Sequence, residues 1–187
     1  NGVSEEERSL DLPSFSNDAM LWISTSHCAK EKRYEQRIIT ANGNASYSNP
    51  LEVKILLEYI RKLDNEIADK KYSVGIITPY RAQLDLIQKR LKMLNLKNIV
   101  AEANTVDAFQ GSQKDIILYS TVRSSDSSQI GFLKEHSRLN VSFSRAKSLL
   151  IIVGDLDFLN NSKIAENKFP EIMKHMLANQ NFCHIIQ

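Results

Sequence analysis

Thr105-Val-Asp-Ala-Phe-Gln-Gly111 and Arg138-Leu-Asn-Val-Ser-Phe-Ser-Arg-Ala-Lys147 decide how this chain is read. Each leads into an apolar run, Asp115-Ile-Ile-Leu-Tyr-Ser-Thr-Val122 and Leu149-Leu-Ile-Ile-Val153, whose β-branched residues predict a buried strand. The second segment predicts a short helix with arginines seven residues apart, two turns along one face, so that Arg138 and Arg145 can point the same way. Gly111 suits a close approach of the backbone to a ligand, where a Cβ would obstruct.

Outward from this centre, Val74-Gly-Ile-Ile-Thr-Pro79 predicts another buried strand, and 80–94 an amphipathic helix with Leu84, Ile87, Leu91 and Leu94 inward. A shorter strand follows over 99–103. Strand, helix, strand is the unit of a parallel sheet. The helix over 51–67 has Asn49 as its cap, Pro50 at its first position and Glu52 in its first turn, a pattern that capping alone explains. Met20-Leu-Trp-Ile23 is one more strand. Together these predict a doubly wound α/β fold with functional residues in loops at the carboxyl ends of strands. Ile76, Ile77, Ile116, Ile117, Leu118, Leu150, Ile151 and Ile152 are expected in adjacent buried strands, because runs apolar on both faces need helices on both sides.

The remaining segments are polar. Residues 1–18 read as an extended leading segment without apolar periodicity, 30–37 as a mixed-charge surface stretch, 42–50 as a turn, and 124–128 as a mobile loop. The expected domain spans 19–160, and 161–187 is a tail with one helix around 170–177. The chain has 187 residues, 42% hydrophobic and 25% charged, the composition of a single globular domain. A net charge of +2 leaves any basic surface local. No apolar run approaches the ~20 residues that cross a bilayer, so no membrane partner and a cytoplasmic location are expected. His27-Cys28 and Cys183-His184 lack the spacing of a zinc knuckle, and no metal site is assigned.

Thr78-Pro-Tyr-Arg-Ala-Gln83, Val106-Asp-Ala-Phe-Gln-Gly111 and Arg138-Leu-Asn-Val-Ser-Phe-Ser-Arg-Ala-Lys147 resemble, in order, motifs IV, V and VI of superfamily-one helicases. The similarity is to the branch containing the up-frameshift RNA-surveillance helicases, the senataxin-like enzymes and the Dna-two-type nuclease-helicases. It covers roughly 22–159 and implies the second RecA-like motor domain, a three-layer P-loop NTPase-type fold around a mostly parallel sheet. The Gly-x-x-x-x-Gly-Lys-Ser/Thr loop, which the family keeps on the first motor domain, is absent from the sequence. The resemblance therefore implies ATP with Mg2+ bound mainly by that first domain, which would be one partner; single-stranded DNA or RNA would be the other.

The same resemblance implies roles for particular residues. Arg145 matches the arginine that stabilises charge on the γ-phosphoryl group, and Arg138 is either a second catalytic arginine or a structural ion pair. Gly111, Gln113 and Arg81 would contact nucleotide. Gln113 stands where relatives commonly have glutamate, and it keeps hydrogen bonding without the charge. Many relatives carry the motif IV arginine where this chain has Leu84. Thr78, Tyr80 and Thr105 would contact the nucleic-acid backbone or bases. Asp107 is expected to shape its loop by Asx-type bonding. The alternative is a non-catalytic RecA-like binding or scaffold module; a dinucleotide-binding oxidoreductase is disfavoured because no strand is followed by Gly-x-Gly-x-x-Gly.

Overall fold

The computed structural model describes residues 10, 12–15, 18–40, 42–67, 72–109, 111–161 and 163–187. Residues 1–9, read above as part of the leading segment, lie outside them. Six strands form one sheet: β1 (Met20–Ser24), β4 (Tyr72–Ile77), β5 (Ile99–Asn104), β6 (Lys114–Ser120), β7 (Ala146–Gly154) and β8 (Cys183–Ile186). Their order is β5-β4-β6-β7-β1-β8, and every neighbouring pair is parallel. A separate antiparallel hairpin pairs β2 (Gln36–Ile39) with β3 (Ala45–Ser48). The helices are α1 (Lys30–Arg33), α2 (Pro50–Glu66), α3 (Arg81–Leu91), α4 (His136–Phe143), α5 (Leu156–Leu159) and α6 (Phe169–Ala178).

The three central strands follow from their side chains. In register, Ile76 faces Leu118 and Leu118 faces Ile151. These residues, with Ile116 and Leu149, pack on Val53, Leu56 and Ile60 of α2 and Leu84 and Ile87 of α3. Their alternates Ile77, Ile117, Tyr119, Leu150 and Ile152 pack on Leu139 of α4, Leu159 of α5 and Phe169, Met173 and Met176 of α6. Alternation across the pleat thus fills a core on each face, as a three-layer α/β fold requires. Full burial of each of these side chains contributes about 1.5–3 kcal/mol. Where β7 leaves the sheet, a Cβ on Gly154 would overlap the Thr121 side chain, whose Cγ2 would lie 2.9 Å away. Gly154→Ala is therefore expected to cost about 1–3 kcal/mol, read as a lower midpoint in urea unfolding.

Several segments depart from the sequence reading. The stretch read as surface and turn contains α1 and the hairpin; every residue of β2 is exposed, so no apolar alternation marks it. The tail carries β8 as well as α6, with Met20 opposite Cys183. Leu10, Leu12 and Phe15 are buried in the core despite lacking any periodic pattern. The serine-rich loop is tied down at Ser124, whose N–H bonds Glu35 and whose hydroxyl bonds Asp155.

Candidate functional site

In a parallel sheet, β5 ends at the carboxyl rim and β6 begins at the amino rim, so residues 105–113 must traverse the height of the sheet. At roughly 3.3 Å per extended residue this connection is long enough to do so without a helix longer than the single turn Asp107–Phe109. Phe109 pins it by packing in the core, 1% exposed. Gly111 has φ +85°, and nothing lies within 4 Å of where its Cβ would be. The backbone hand requires glycine there, and the space around it is open. Gln113 beside it is exposed.

Arg145 follows α4 and immediately precedes β7, which brings it to the amino rim next to this turn. Its backbone carbonyl accepts from the Lys114 N–H at 2.9 Å. The guanidinium donates to the Val141 carbonyl (3.0 Å), the Ser112 carbonyl (3.4 Å) and the Ser144 hydroxyl (3.0 Å). Those partners are all neutral, and no carboxylate lies within ion-pair distance of Arg145 among the described residues. Such a group is oriented yet uncompensated, the condition for receiving an anion.

Arg138 is placed differently. It pairs with Glu135 (3.1 Å) and Asp107 (3.3 Å), so Asp107 makes an ion pair in place of the Asx-type bond. Its position in the first turn of α4 puts it roughly 10 Å along the chain axis from Arg145, and the two arginines share no partner.

At the carboxyl rim, Pro79, Tyr80, Arg81, Thr105 and Phe132 form a groove with Thr40, Asn42, Asn44, Ala45 and Ser46 of the hairpin, of about 310 Å³. Thr105 is half-buried. Thr78 is fully buried, and its hydroxyl has no hydrogen-bond partner among the described residues. Tyr80 is 3% exposed; its hydroxyl accepts from Arg123 Nη1 (3.4 Å) and from the Phe132 N–H (3.3 Å), and burial raises its pKa. Arg81 opens α3 on this groove, its Nε 3.0 Å from Asp85. The structure thus gathers Gly111, Gln113 and Arg145 at one rim and Tyr80, Arg81 and Thr105 at the other, with Arg138 between.

A buried polar network supports the carboxyl rim, and sequence reasoning missed it. Glu52 is fully buried and accepts from the Ser120 hydroxyl (2.6 Å), the Thr121 hydroxyl (3.2 Å) and the Val122 N–H (2.9 Å). Loss of water around it pushes its carboxyl up to about 8 against those bonds. Val122 has φ +70°, which costs a β-branched residue on the order of 1–3 kcal/mol. Glu52 holds its N–H, and the Asn49 amide donates to its carbonyl at 3.2 Å. The turn so formed directs Arg123 to the Tyr80 hydroxyl and the Gln129 carbonyl, behind the groove. Its Nε lies 3.0 Å from Glu35, off the line of the N–H, so that pair is ionic rather than hydrogen-bonded. The one signal in the sequence was the Asn49–Glu52 spacing, which capping accounts for without requiring burial.

A family model described as "AAA domain" matches residues 2–157. The chain belongs to that AAA-domain family. Helicase sen1 of Schizosaccharomyces pombe is 37% identical over 129 residues, covering 67% of this chain and 8% of that protein. Probable helicase senataxin of Mus musculus is 45% identical over 115 residues, 60% of this chain and 4% of the relative. DNA polymerase alpha-associated DNA helicase A of Saccharomyces cerevisiae is 33% identical over 156 residues, 83% of this chain and 21% of the relative. The chain therefore spans a small part of the length of each. No helix among the described residues is long and apolar enough to cross a membrane.

Proposed function

We propose that this chain is the second motor domain of an ATP-dependent helicase or translocase acting on single-stranded DNA or RNA. The observation that carries the reading is the connection over 105–113. It joins the groove at the carboxyl rim to the open turn at Gly111, where Arg145 has no carboxylate partner among the described residues. The names of the relatives, all helicases, support the same reading.

In this proposal Arg145 donates to the γ-phosphoryl oxygens of ATP, where charge develops in the transition state. Gly111 lets the backbone face the nucleotide, and the Gln113 amide is free to bond a ribose hydroxyl. Among the described residues no carboxylate lies within ion-pair distance of the Arg145 guanidinium, which suits a phosphate there; Mg2+ with most of the nucleotide would belong to the first motor domain. Mg2+ there would offset charge on the phosphates. Thr105 and Arg81 would grip the strand by its phosphates, contacts that position without reading sequence. Arg138, paired at 3.1 and 3.3 Å, is assigned the structural role of fixing α4 to the 105–113 connection. Thr78 and Tyr80 support the groove from beneath, as their burial requires.

The test is ATP turnover by the full-length protein with and without single-stranded DNA or RNA. Stimulation by a strand is expected. An intact phosphate loop in the first domain without hydrolysis in the presence of either strand would leave the scaffold reading standing.

A further inference from the structure

Phe132 is 49% exposed at the mouth of the rim groove, while its neighbour Leu133 is fully buried and anchors the turn Gly131–Lys134. That division matters, because the turn does not need the Phe132 ring for its own packing. Held in a defined place beside a groove, the exposed ring offers a flat apolar face for contact.

The ring is held by what lies behind it. It rests against Tyr80 with centroids 5.4 Å apart and planes at 45°, and Tyr80 meets Tyr47 edge-on at 5.4 Å. The Arg123 guanidinium lies 4.4 Å from the Tyr47 ring and closes the column from below. The Phe132 N–H is bonded to the Tyr80 hydroxyl. Gly131 has φ +58°, and a Cβ there would collide with that hydroxyl and come within 2.7 Å of Arg123 Nη1. Three aromatic rings are therefore packed edge-on and tilted against one another, with Tyr80 buried between a half-buried Tyr47 and Phe132, which is half exposed to a ligand. The groove beside it is lined by amides of Asn42 and Asn44, the Thr105 hydroxyl and Arg81. A flat π-face among amides, a hydroxyl and a guanidinium has the chemistry of a subsite for a nucleobase with its phosphate alongside.

We propose that Phe132 is a base-stacking platform for one unpaired nucleobase of the bound strand, backed by Tyr80 and Tyr47. This rests on the nucleic-acid reading of the groove. The platform also adjoins the nucleotide side: the Arg138 guanidinium lies 5.8 Å from the Phe132 centroid and pairs with Asp107 on the connection over 105–113. Stacking tolerates any base, so this subsite adds grip without sequence preference.

The test uses the full-length protein, a fluorescent oligo-dT or oligo-rU strand, and a strand of equal length made of abasic sites. Phe132→Ala is expected to weaken oligo-dT binding about ten-fold and to raise the KM for the strand in ATP hydrolysis with kcat retained. Phe132→Trp should restore both. The abasic strand should bind the unaltered protein as weakly as oligo-dT binds Phe132→Ala, and Phe132→Ala should not weaken it further. The abasic comparison on the unaltered protein stands even where the variant misfolds. Two results overturn the platform: Phe132→Ala binding oligo-dT like the unaltered protein, or weakening both strands equally. An unaltered protein that binds no strand overturns the nucleic-acid reading together with it.

Discussion

On the proposed reading, Arg145→Ala in the full-length protein is expected to lower ATP turnover by about three orders of magnitude or more, the loss expected for an arginine acting on a transferring phosphoryl group. The fold is expected to survive, because the side chain gives up hydrogen bonds only to the Val141 and Ser112 carbonyls and the Ser144 hydroxyl, at a half-buried position. Arg145→Lys is expected to recover little. A lysine keeps the charge but has no planar fork to reach two phosphoryl oxygens while held by the helix end. Arg138→Ala is the control: its two ion pairs are 38% exposed on the arginine side, so they are worth about 0–1 kcal/mol each. Steady-state hydrolysis beside thermal melts separates the two. Near-normal turnover by a folded Arg145→Ala protein removes this arginine from the chemistry.

The largest loss of stability is expected at Glu52. Glu52→Ala leaves the Ser120 and Thr121 hydroxyls and the Val122 N–H buried without their partner. Each such orphan costs about 1–3 kcal/mol, so a total of roughly 4 kcal/mol or more is expected. Glu52→Gln preserves the shape and an acceptor, and the hydroxyls can turn to accept from its amide; a loss near ~1 kcal/mol follows.

The carboxyl also carries a pH dependence with a definite sign. Its pKa rises from 4.5 in the unfolded chain to about 8 in the folded one, so between those values the folded state holds the extra proton. Stability from this group is complete below about pH 4.5 and is lost as pH rises through about 8, with a slope approaching about 1.4 kcal/mol per pH unit. Denaturant unfolding across that window should show the decline in the unaltered protein and a flatter profile in Glu52→Gln. Equal slopes in both would show that Glu52 is ionised when folded.

The central strands were legible because β4, β6 and β7 are apolar on both faces, a pattern that only a strand covered by helices on both sides readily accommodates. β2 was not, since its residues are exposed on both faces, and β8 is too short to establish a period. Missing the hairpin had a direct cost at the site. Tyr47 of β3 lies against Tyr80, and the hairpin forms one wall of the groove; a residue following a strand cannot be ranked as exposed or buried until its cover is known. The same holds for Glu52: nothing local distinguishes a first-turn carboxylate in solvent from one inserted under the end of β6. By contrast, the closeness of Gly111 to Arg145 follows from chain order. One precedes β6, the other precedes β7, and parallel neighbours start at the same rim.

β8 also bears on solubility. β1 lies between β7 and β8, with Met20 to Ile23 in register with Cys183 to Ile186. Removing the final strand would leave one flank of β1 as a straight row of unsatisfied amides and carbonyls beside apolar side chains. Such an open flank recruits any extended chain that fits it, and the nearest supply is another copy of the same molecule. A version ending near residue 160 would lose α6 as well, baring Trp22, Leu150 and Ile152, so self-association is expected through both the open flank of β1 and the uncovered apolar face. β8, four residues long, takes the open edge over from β1 as a shorter strand, one way in which sheets blunt an edge.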